Sequence, residues 1–352
     1  MSRKRGMMNV YHGPISIAGM AWNLASWQRA NGIESDCVLE QECPLKNPHH
    51  ICLTLERFGF LRRQLARFNF FLFALGKYDI FHFYYGLSLL PYNLDLPMLR
   101  LFGKKIIMTY CGSDIRLMYI EQDRNPYAAH VEGEGNSLKE DAGKKWKMFW
   151  HRLWVHKVFA ARDARRWALE VFPESMVVSD IWINNSLDLG ELVYQEPHVG
   201  HEVCVVHAPT SHHFKGTRFV RGAVETLKEE GIPFRYVEIS DLPHDDLMRL
   251  LTEDADIVVD QLLFGGIGSL AMEAMSLGKV VLSYYTDELR TSVLKDCPVI
   301  PSTIDTVTDD LRALIKDFEQ RRLLGIKGRE FVEKHVDREN IGRQVIALYQ
   351  SL

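Results

Sequence analysis

Short apolar runs alternate with longer stretches of helical period along the chain, and glycine closes many of them. Residues 6–12, GMMNVYH, predict a short buried strand. Residues 13–32, GPISIAGMAWNLASWQRANG, predict a glycine-containing turn and then a helix that stops at Gly32. DCVLE (36–40), YDIFHFYYG (78–86) and KKIIMTYCG (104–112) are further strand candidates. The alternation breaks at 184–201, where Pro197 and Gly200 mark a linker. It restarts as strand 202–209, helix 217–231, strand 234–240, helix 244–255, strand 256–263, helix 269–278 and strand 279–285. Residues 309–333 and 337–351 predict two terminal helices.

Strands that alternate with helices predict parallel sheets covered on both faces. The expected class is α/β, with two doubly wound, Rossmann-like domains facing across a cleft. The first is expected over 1–190 and the second over 200–335. Residues 336–352 are expected to form a helix that crosses back to the first domain. Open sheets of this kind take ligands at the carboxyl ends of their strands.

The length of 352 residues allows two substantial cores. A formal net charge of −4 gives no global signal for nucleic-acid binding. The six cysteines, at 37, 43, 52, 111, 204 and 297, form no C-x-x-C pair and no zinc spacing. Scattered thiols of this kind fit a reducing, cytoplasmic setting. The start is basic, but Asn9 and His12 interrupt the apolar core a signal peptide needs. No apolar run is long enough for a transmembrane helix.

The candidate chemistry lies at strand-to-helix turns. Residues 264–285, FGGIGSLAMEAMSLGKVVLSYY, read as a glycine-rich loop, a helix and a strand, with Glu273 the one acid. Such a loop offers backbone N–H groups to an anion at the helix start, although many glycine loops only turn a corner. VVHAPTSHHFKGTRF (205–219) places Lys215, Gly216 and Thr217 at another such turn, where a lysine can meet a phosphate. A lysine there contributes little to a core, so its loss should leave the fold intact. His207, His212 and His213 have poor spacing for a metal site and lack an acidic partner. Asp254 and Asp256 precede their strand and so fall at its wrong edge for an acidic metal motif; no metal site is expected. The first turn, HGPISIAG, lacks G-x-G-x-x-G, but Gly13 and Gly19 permit close approach of a ligand. In TYCGSDIR, Ser113 or Asp114 is a cap, and Cys111 is either a nucleophile without an identifiable base or a buried thiol.

Two of these motifs in register resemble the C-terminal domain of retaining glycosyltransferases of the GT-B fold, family 4 in particular. The lysine–glycine pair is matched by Lys215-Gly216-Thr217, and the acidic helix motif by Glu273-Ala274-Met275-Ser276 with Gly278. The turn at 13–32 and the strand ends FHFYYG and YCGSDI are similar to first-domain features of that family. The likeness spans about residues 7–350 and is densest over 205–284. Three positions depart from the pattern. The first acid of the paired-glutamate motif falls at Gly265. Cys111 stands where many members carry histidine. The expected arginine before the lysine is absent, with His212 or His213 in its place.

The resemblance implies a nucleotide-diphosphate sugar as donor substrate, with no further cofactor. Glu273 would accept hydrogen bonds from the ribose hydroxyls. Gly265, Gly266, Ile267, Gly268 and Ser269 would hold the pyrophosphate, and Lys215 would balance its charge. Lys215, Cys111 and Asp114 are the catalytic candidates; Gly13, His212, Gly216 and Thr217 complete the donor site. The implied reaction is retaining, metal-independent transfer to a saccharide or polyprenyl-linked acceptor in cell-surface glycan synthesis. The alternatives are a nucleotide-sugar epimerase on the same fold, or a degenerate transferase serving as a binding subunit.

Residues 55–75 add a membrane signal. Phe58, Leu61, Leu65, Phe68, Leu72 and Leu75 fall on one arc at helical spacing, with arginines and further phenylalanines off it. Packing on the first domain's sheet explains the arc but not the off-arc aromatics. Aromatics among basic residues, repeated in GKKWKMFWHRLWVHK (143–157), fit peripheral docking on an anionic bilayer.

Overall fold

A computed structural model describes residues 8–42, 48–131, 136–197, 199–240, 242–291 and 294–352. Cys43 lies outside the described residues. Two compact units emerge. Unit 1 holds the described residues up to Leu117, those from Asn136 to Ser186, and Arg338–Leu352; unit 2 holds residues 118–131 and the described part of 187–337. The segment 118–131 thus belongs with the second half of the chain. The reason is local: Met118 and Val131 bury against Leu263 and Phe264, and Asn125 Nδ2 donates to the Leu263 carbonyl at 2.8 Å.

Unit 1 is built on a seven-stranded parallel sheet. Its strands are β1 (Asn9–Gly13), β2 (Glu34–Leu39), β3 (Ile51–Cys52), β4 (Ile80–Tyr84), β5 (Lys105–Tyr110), β6 (Lys157–Ala160) and β7 (Val177–Val178). Their order is β3-β2-β1-β4-β5-β6-β7. Every residue of β4 is buried, as a parallel strand covered on both faces requires. Two histidines sit in this interior. His12 Nε2 meets the Gln28 amide oxygen at 2.9 Å, and its Nδ1 meets the Tyr84 hydroxyl at 2.8 Å. The amide oxygen can only accept, so Nε2 carries the proton and Nδ1 accepts from Tyr84. His82 meets the hydroxyls of Thr109 and Tyr349. Burial lowers the His12 pKa to about 4 and that of His82 well below the usual value. Tyr349 lies on the C-terminal helix Arg338–Gln350. There Gly342 faces the Trp27 ring, where a Cβ would lie 2.5 Å from ring atoms, and Trp27 Nε1 donates to Glu339 at 2.6 Å.

Two helices of unit 1 depart from the hydropathy reading. Helix Phe60–Lys77 buries Phe71 and Ala74, not the expected apolar arc. Leu61 and Leu65 of that arc are 76% and 63% exposed, and Phe58, Phe68 and Leu72 are exposed too. Off the arc, Phe60 and Phe73 are exposed. Helix Leu138–Trp154 is opened by a capping box between Ser137 and Glu140. Trp146, Phe149 and Leu153 point to solvent, while Lys144 is buried and donates to the Arg116 carbonyl at 3.0 Å. The segment 143–157 is therefore not basic throughout its surface, and Lys157 already belongs to β6. Among the described residues no helix is long and apolar enough to cross a membrane.

Unit 2 carries a five-stranded parallel sheet: β8 (Cys204–His207), β9 (Arg235–Glu238), β10 (Ile257–Val259), β11 (Val280–Ser283) and β12 (Ile300–Pro301), in the order β12-β11-β10-β8-β9. Val205, Ile257, Val259 and Leu282 bury against Val220, Val224 and Leu227 of helix Thr217–Glu229 and Leu311 of helix Val307–Lys316. The single helix expected over 309–333 is two, 307–316 and Phe318–His335. The break is at Asp317, whose extended backbone and side-chain bond to the Gln320 N–H (2.8 Å) start the second helix.

Candidate functional site

In unit 2, β8 is flanked by β10 on one side and β9 on the other, so the winding reverses between β8 and β10. Ligands of open parallel sheets bind at the carboxyl edge of such a reversal. Two loops leave that edge, one carrying Lys215 after β8 and one carrying residues 260–268 after β10.

Asp260 joins them. Its side chain is fully buried. One oxygen accepts from Lys215 Nζ at 2.7 Å and the other from the Gly268 N–H at 2.8 Å. Lys215 also donates to the Gln261 side-chain oxygen at 3.2 Å. Gln261 in turn donates to the Gly266 carbonyl at 2.7 Å, which also accepts from the Ser283 hydroxyl. Gly268 is required here, because a Cβ would lie 2.8 Å from Asp260 and 3.2 Å from the Lys215 amine. Gly268 opens helix Ser269–Ser276, and no side chain caps that N-terminus. First-turn N–H groups there remain for an anion, beside an ammonium with a third donor to spare. Lys215 is thus no free loop lysine, contrary to the sequence expectation.

Glu273 lies about one turn into the same helix and is largely buried. It accepts from His244 Nε2 at 2.9 Å, across from helix His244–Glu253. The Glu273 carboxylate raises the His244 pKa, against a smaller opposing effect of burial. The glutamate therefore has a prearranged partner in His244.

The remaining donor-site candidates differ in standing. The Thr217 side chain is buried and bonds His207 Nε2 at 2.9 Å, so its hydroxyl faces the core rather than a ligand. His207 donates through Nδ1 to the Val259 carbonyl at 2.8 Å, and burial lowers its pKa. His212 is exposed and meets the Ser240 hydroxyl at 2.8 Å. Gly216, with φ of 78°, is the left-handed joint between helices His212–Lys215 and Thr217–Glu229. Gly265 is buried, and a Cβ there would lie 2.5 Å from the Thr286 methyl. Ile267 and Ser269 are half-buried at the loop's rim.

The other candidates lie in unit 1. Gly13 is glycine for packing, since a Cβ would run into the Val38 carbonyl and lie 2.6 Å from the Tyr11 hydroxyl. Asp114 accepts the N–H groups of Cys111 and Gly112 at 2.9 and 2.8 Å, which makes it the cap of the turn after β5. Burial pushes its pKa up to about 6. Burial, reinforced by the Asp114 charge, also pushes the Cys111 thiol well above its usual range. A thiol held protonated is a poor nucleophile, so this geometry speaks against a nucleophilic Cys111.

Sequence reasoning missed Asp260, Gln261 and His244. Asp260 and Gln261 were readable as polar residues closing the apolar run DIVVDQLL ahead of the glycine loop. His244, 29 residues from Glu273, gave no sequence signal. Among the described residues no group of histidine, cysteine and acidic side chains could hold a metal ion. Asp256 accepts the Cys204 N–H at 2.9 Å at the amino edge of the sheet, away from the loops above.

No family model and no curated protein sequence matches the chain. Solved structures do. Sucrose-phosphate synthase from Thermosynechococcus elongatus is similar over 98% of both chains, with a TM-score of 0.72 at 15% identity. HepE from Anabaena, solved with UDP and glucose, is similar over 98% of this chain and 100% of its own, with a TM-score of 0.67 at 12% identity. A protein named as a UDP-N-acetylglucosamine 2-epimerase from Listeria monocytogenes covers 98% of this chain and 96% of its own, with a TM-score of 0.56 at 12% identity. At these identities the likeness establishes the fold, which is GT-B: two Rossmann-like α/β domains.

Proposed function

We propose that the protein is a glycosyltransferase that moves a sugar from a nucleotide-diphosphate donor to a saccharide or lipid-linked acceptor, with retention and without a metal. The observation that carries this reading is the arrangement of Asp260, Lys215 and Gly268 at the uncapped start of helix Ser269–Ser276. Negative charge develops on the diphosphate as the sugar–phosphate bond breaks. A fixed ammonium and fixed N–H groups favour that charge without reorganising, and one such donor contributes roughly 2.7–4 kcal/mol. Glu273 on the same helix would receive the ribose hydroxyls. HepE, a structural neighbour, was solved with UDP and glucose, which makes UDP the first nucleotide to try.

The test is calorimetric titration with UDP and UDP-glucose. Binding of UDP that Glu273→Ala weakens supports the donor site; no binding of any nucleotide diphosphate overturns it. A neighbour of the same fold is named as an epimerase, so product analysis with labelled donor separates transfer from epimerisation. Glycan synthesis at a membrane fits the exposed Phe60, Leu61 and Leu65, which leave this face of helix Phe60–Lys77 uncovered among the described residues. Flotation with acidic and neutral vesicles tests docking. Arg67 pairs with Glu40 and Arg63 bonds the Leu55 carbonyl, so Leu61→Asp with Leu65→Asp is the informative variant.

A further inference from the structure

The sheet of unit 1 has its own reversal of winding, between β1 and β4. A cavity of about 600 Å³ opens at that edge, lined by residues that follow β1, β2 and β4 and by two helices. Its size is that of a small-molecule site. Apolar groups dominate its wall, among them Ile15, Leu90, Leu94, Trp146 and Trp150.

The polar groups in the wall are largely spent on one another. Arg67 clamps Glu40 through two bonds of 3.0 and 2.6 Å. Ser88 donates to Asn93, and the Asn93 amide is held by the Gly86 carbonyl and His151. Trp150 Nε1 donates to the Asn93 carbonyl at 3.1 Å. Lys147 differs. It is half-buried over Gly86, where a Cβ would lie 3.3 Å from its ammonium, and it makes no hydrogen bond or ion pair among the described residues. Its charge reaches Asp114 and His151 without a direct contact to either. Among the described residues the cavity therefore offers an apolar body and one unspent cation. Leu94, Tyr92 and Trp146 both line it and are open to solvent, so the apolar surface continues outward from its mouth.

We propose that this cavity takes the apolar part of an amphiphilic acceptor and that Lys147 receives the acceptor's anionic group. The word acceptor rests on the transferase reading above; the binding chemistry does not. A free sugar would leave the apolar wall unmatched, and a free phosphate would leave most of the volume empty.

The experiment follows tryptophan fluorescence, because Trp146 and Trp150 report on the wall. The full chain is titrated below micelle concentrations with dodecyl phosphate, dodecyl maltoside and inorganic phosphate. Dodecyl phosphate should bind about tenfold tighter than dodecyl maltoside, the range of one charge-assisted contact, and inorganic phosphate should not bind. Lys147→Gln should erase that preference, and Leu90→Trp, which fills the cavity, should weaken both amphiphiles. Leu61→Asp with Leu65→Asp, on the outer face of the neighbouring helix, should change neither. Equal binding of the two amphiphiles, a preference that survives Lys147→Gln, or loss only in the Leu61/Leu65 variant would each overturn the proposal. Lys147 is half-exposed, so its variant remains informative if Leu90→Trp fails to fold. UDP titration of the same samples separates the two readings: cavity binding without UDP binding removes the donor site and leaves the cavity standing.

Discussion

Lys215→Ala separates a structural from a chemical role for one residue. In the wild-type chain the Lys215 ammonium faces Asp260, whose carboxylate has no exposure and whose second oxygen holds the Gly268 N–H. Removing the lysine strands that carboxylate. Breaking a buried pair from one side costs about 3–5 kcal/mol. Lys215 itself is 15% exposed, so water reaches the vacated space and the lower end, about 3 kcal/mol, is expected here. For a domain of this size that is a fall in Tm of roughly 6–12 °C. Lys215→Met combined with Asp260→Asn removes the stranded charge and should recover most of the loss, because a neutral amide can still accept from Gly268. The assay is calorimetric unfolding of wild type, Lys215→Ala, Asp260→Asn and the double variant, followed by UDP titration of each. A double variant that is stable yet blind to UDP assigns Lys215 to the diphosphate. A Lys215→Ala protein that melts within two degrees of wild type would refute the buried-pair argument.

Three further outcomes follow from the same geometry. His12 titrates at about 4 in the folded chain and near 6.5 unfolded, so its contribution is fully present above pH 6.5 and is lost as pH falls toward 4. Between pH 7 and 5 the loss from this one group is about 2 kcal/mol. Asp95 and Asp114, raised to about 6 by burial, work in the opposite direction below pH 6. The readout is therefore the difference between the urea-stability curves of wild type and His12→Gln, and parallel curves would remove the effect. Gly265→Glu should destabilise the loop rather than retune the donor, since the Thr286 methyl occupies the space; a stable variant with a changed donor profile would contradict that. His244→Ala should shift the pH dependence of UDP binding, because a titrating imidazole whose charged form Glu273 favours is gone, and an unchanged profile would place His244 outside the site.

The alternation of strand and helix was legible because parallel strands such as Ile80–Tyr84 are buried throughout and mostly apolar, and glycine marks their ends. The glycine loop and its helix were legible for the same reason. Helix Leu138–Trp154 was not, since it buries Asp141, Lys144, Met148 and His151, a helical face that is mostly polar. Helix Phe60–Lys77 shows the converse, an apolar arc that faces solvent. Hydropathy reports burial only where a face is packed against its own chain, and both helices border the surface argued above to receive something else. Asp260 escaped because a strand reading treats DIVVDQLL as one run, whereas the strand ends at Val259 and the next two side chains organise the site.

The closure of unit 1 by residues 338–352 bears on synthesis at the ribosome. Strands β1 to β7 emerge from the exit tunnel well before Arg338 is joined to the chain. At about 5–20 residues per second, roughly 15–60 s separate β2 from the helix that supplies Glu339, Gly342 and Tyr349. Over that interval the Trp27 ring has no Gly342 backbone against it, and His82 has no Tyr349 hydroxyl. The first unit to be translated is thus the last to be finished. A nascent chain stalled before residue 338 should present Trp27 to a chaperone, while one in which residues 338–352 have emerged should not.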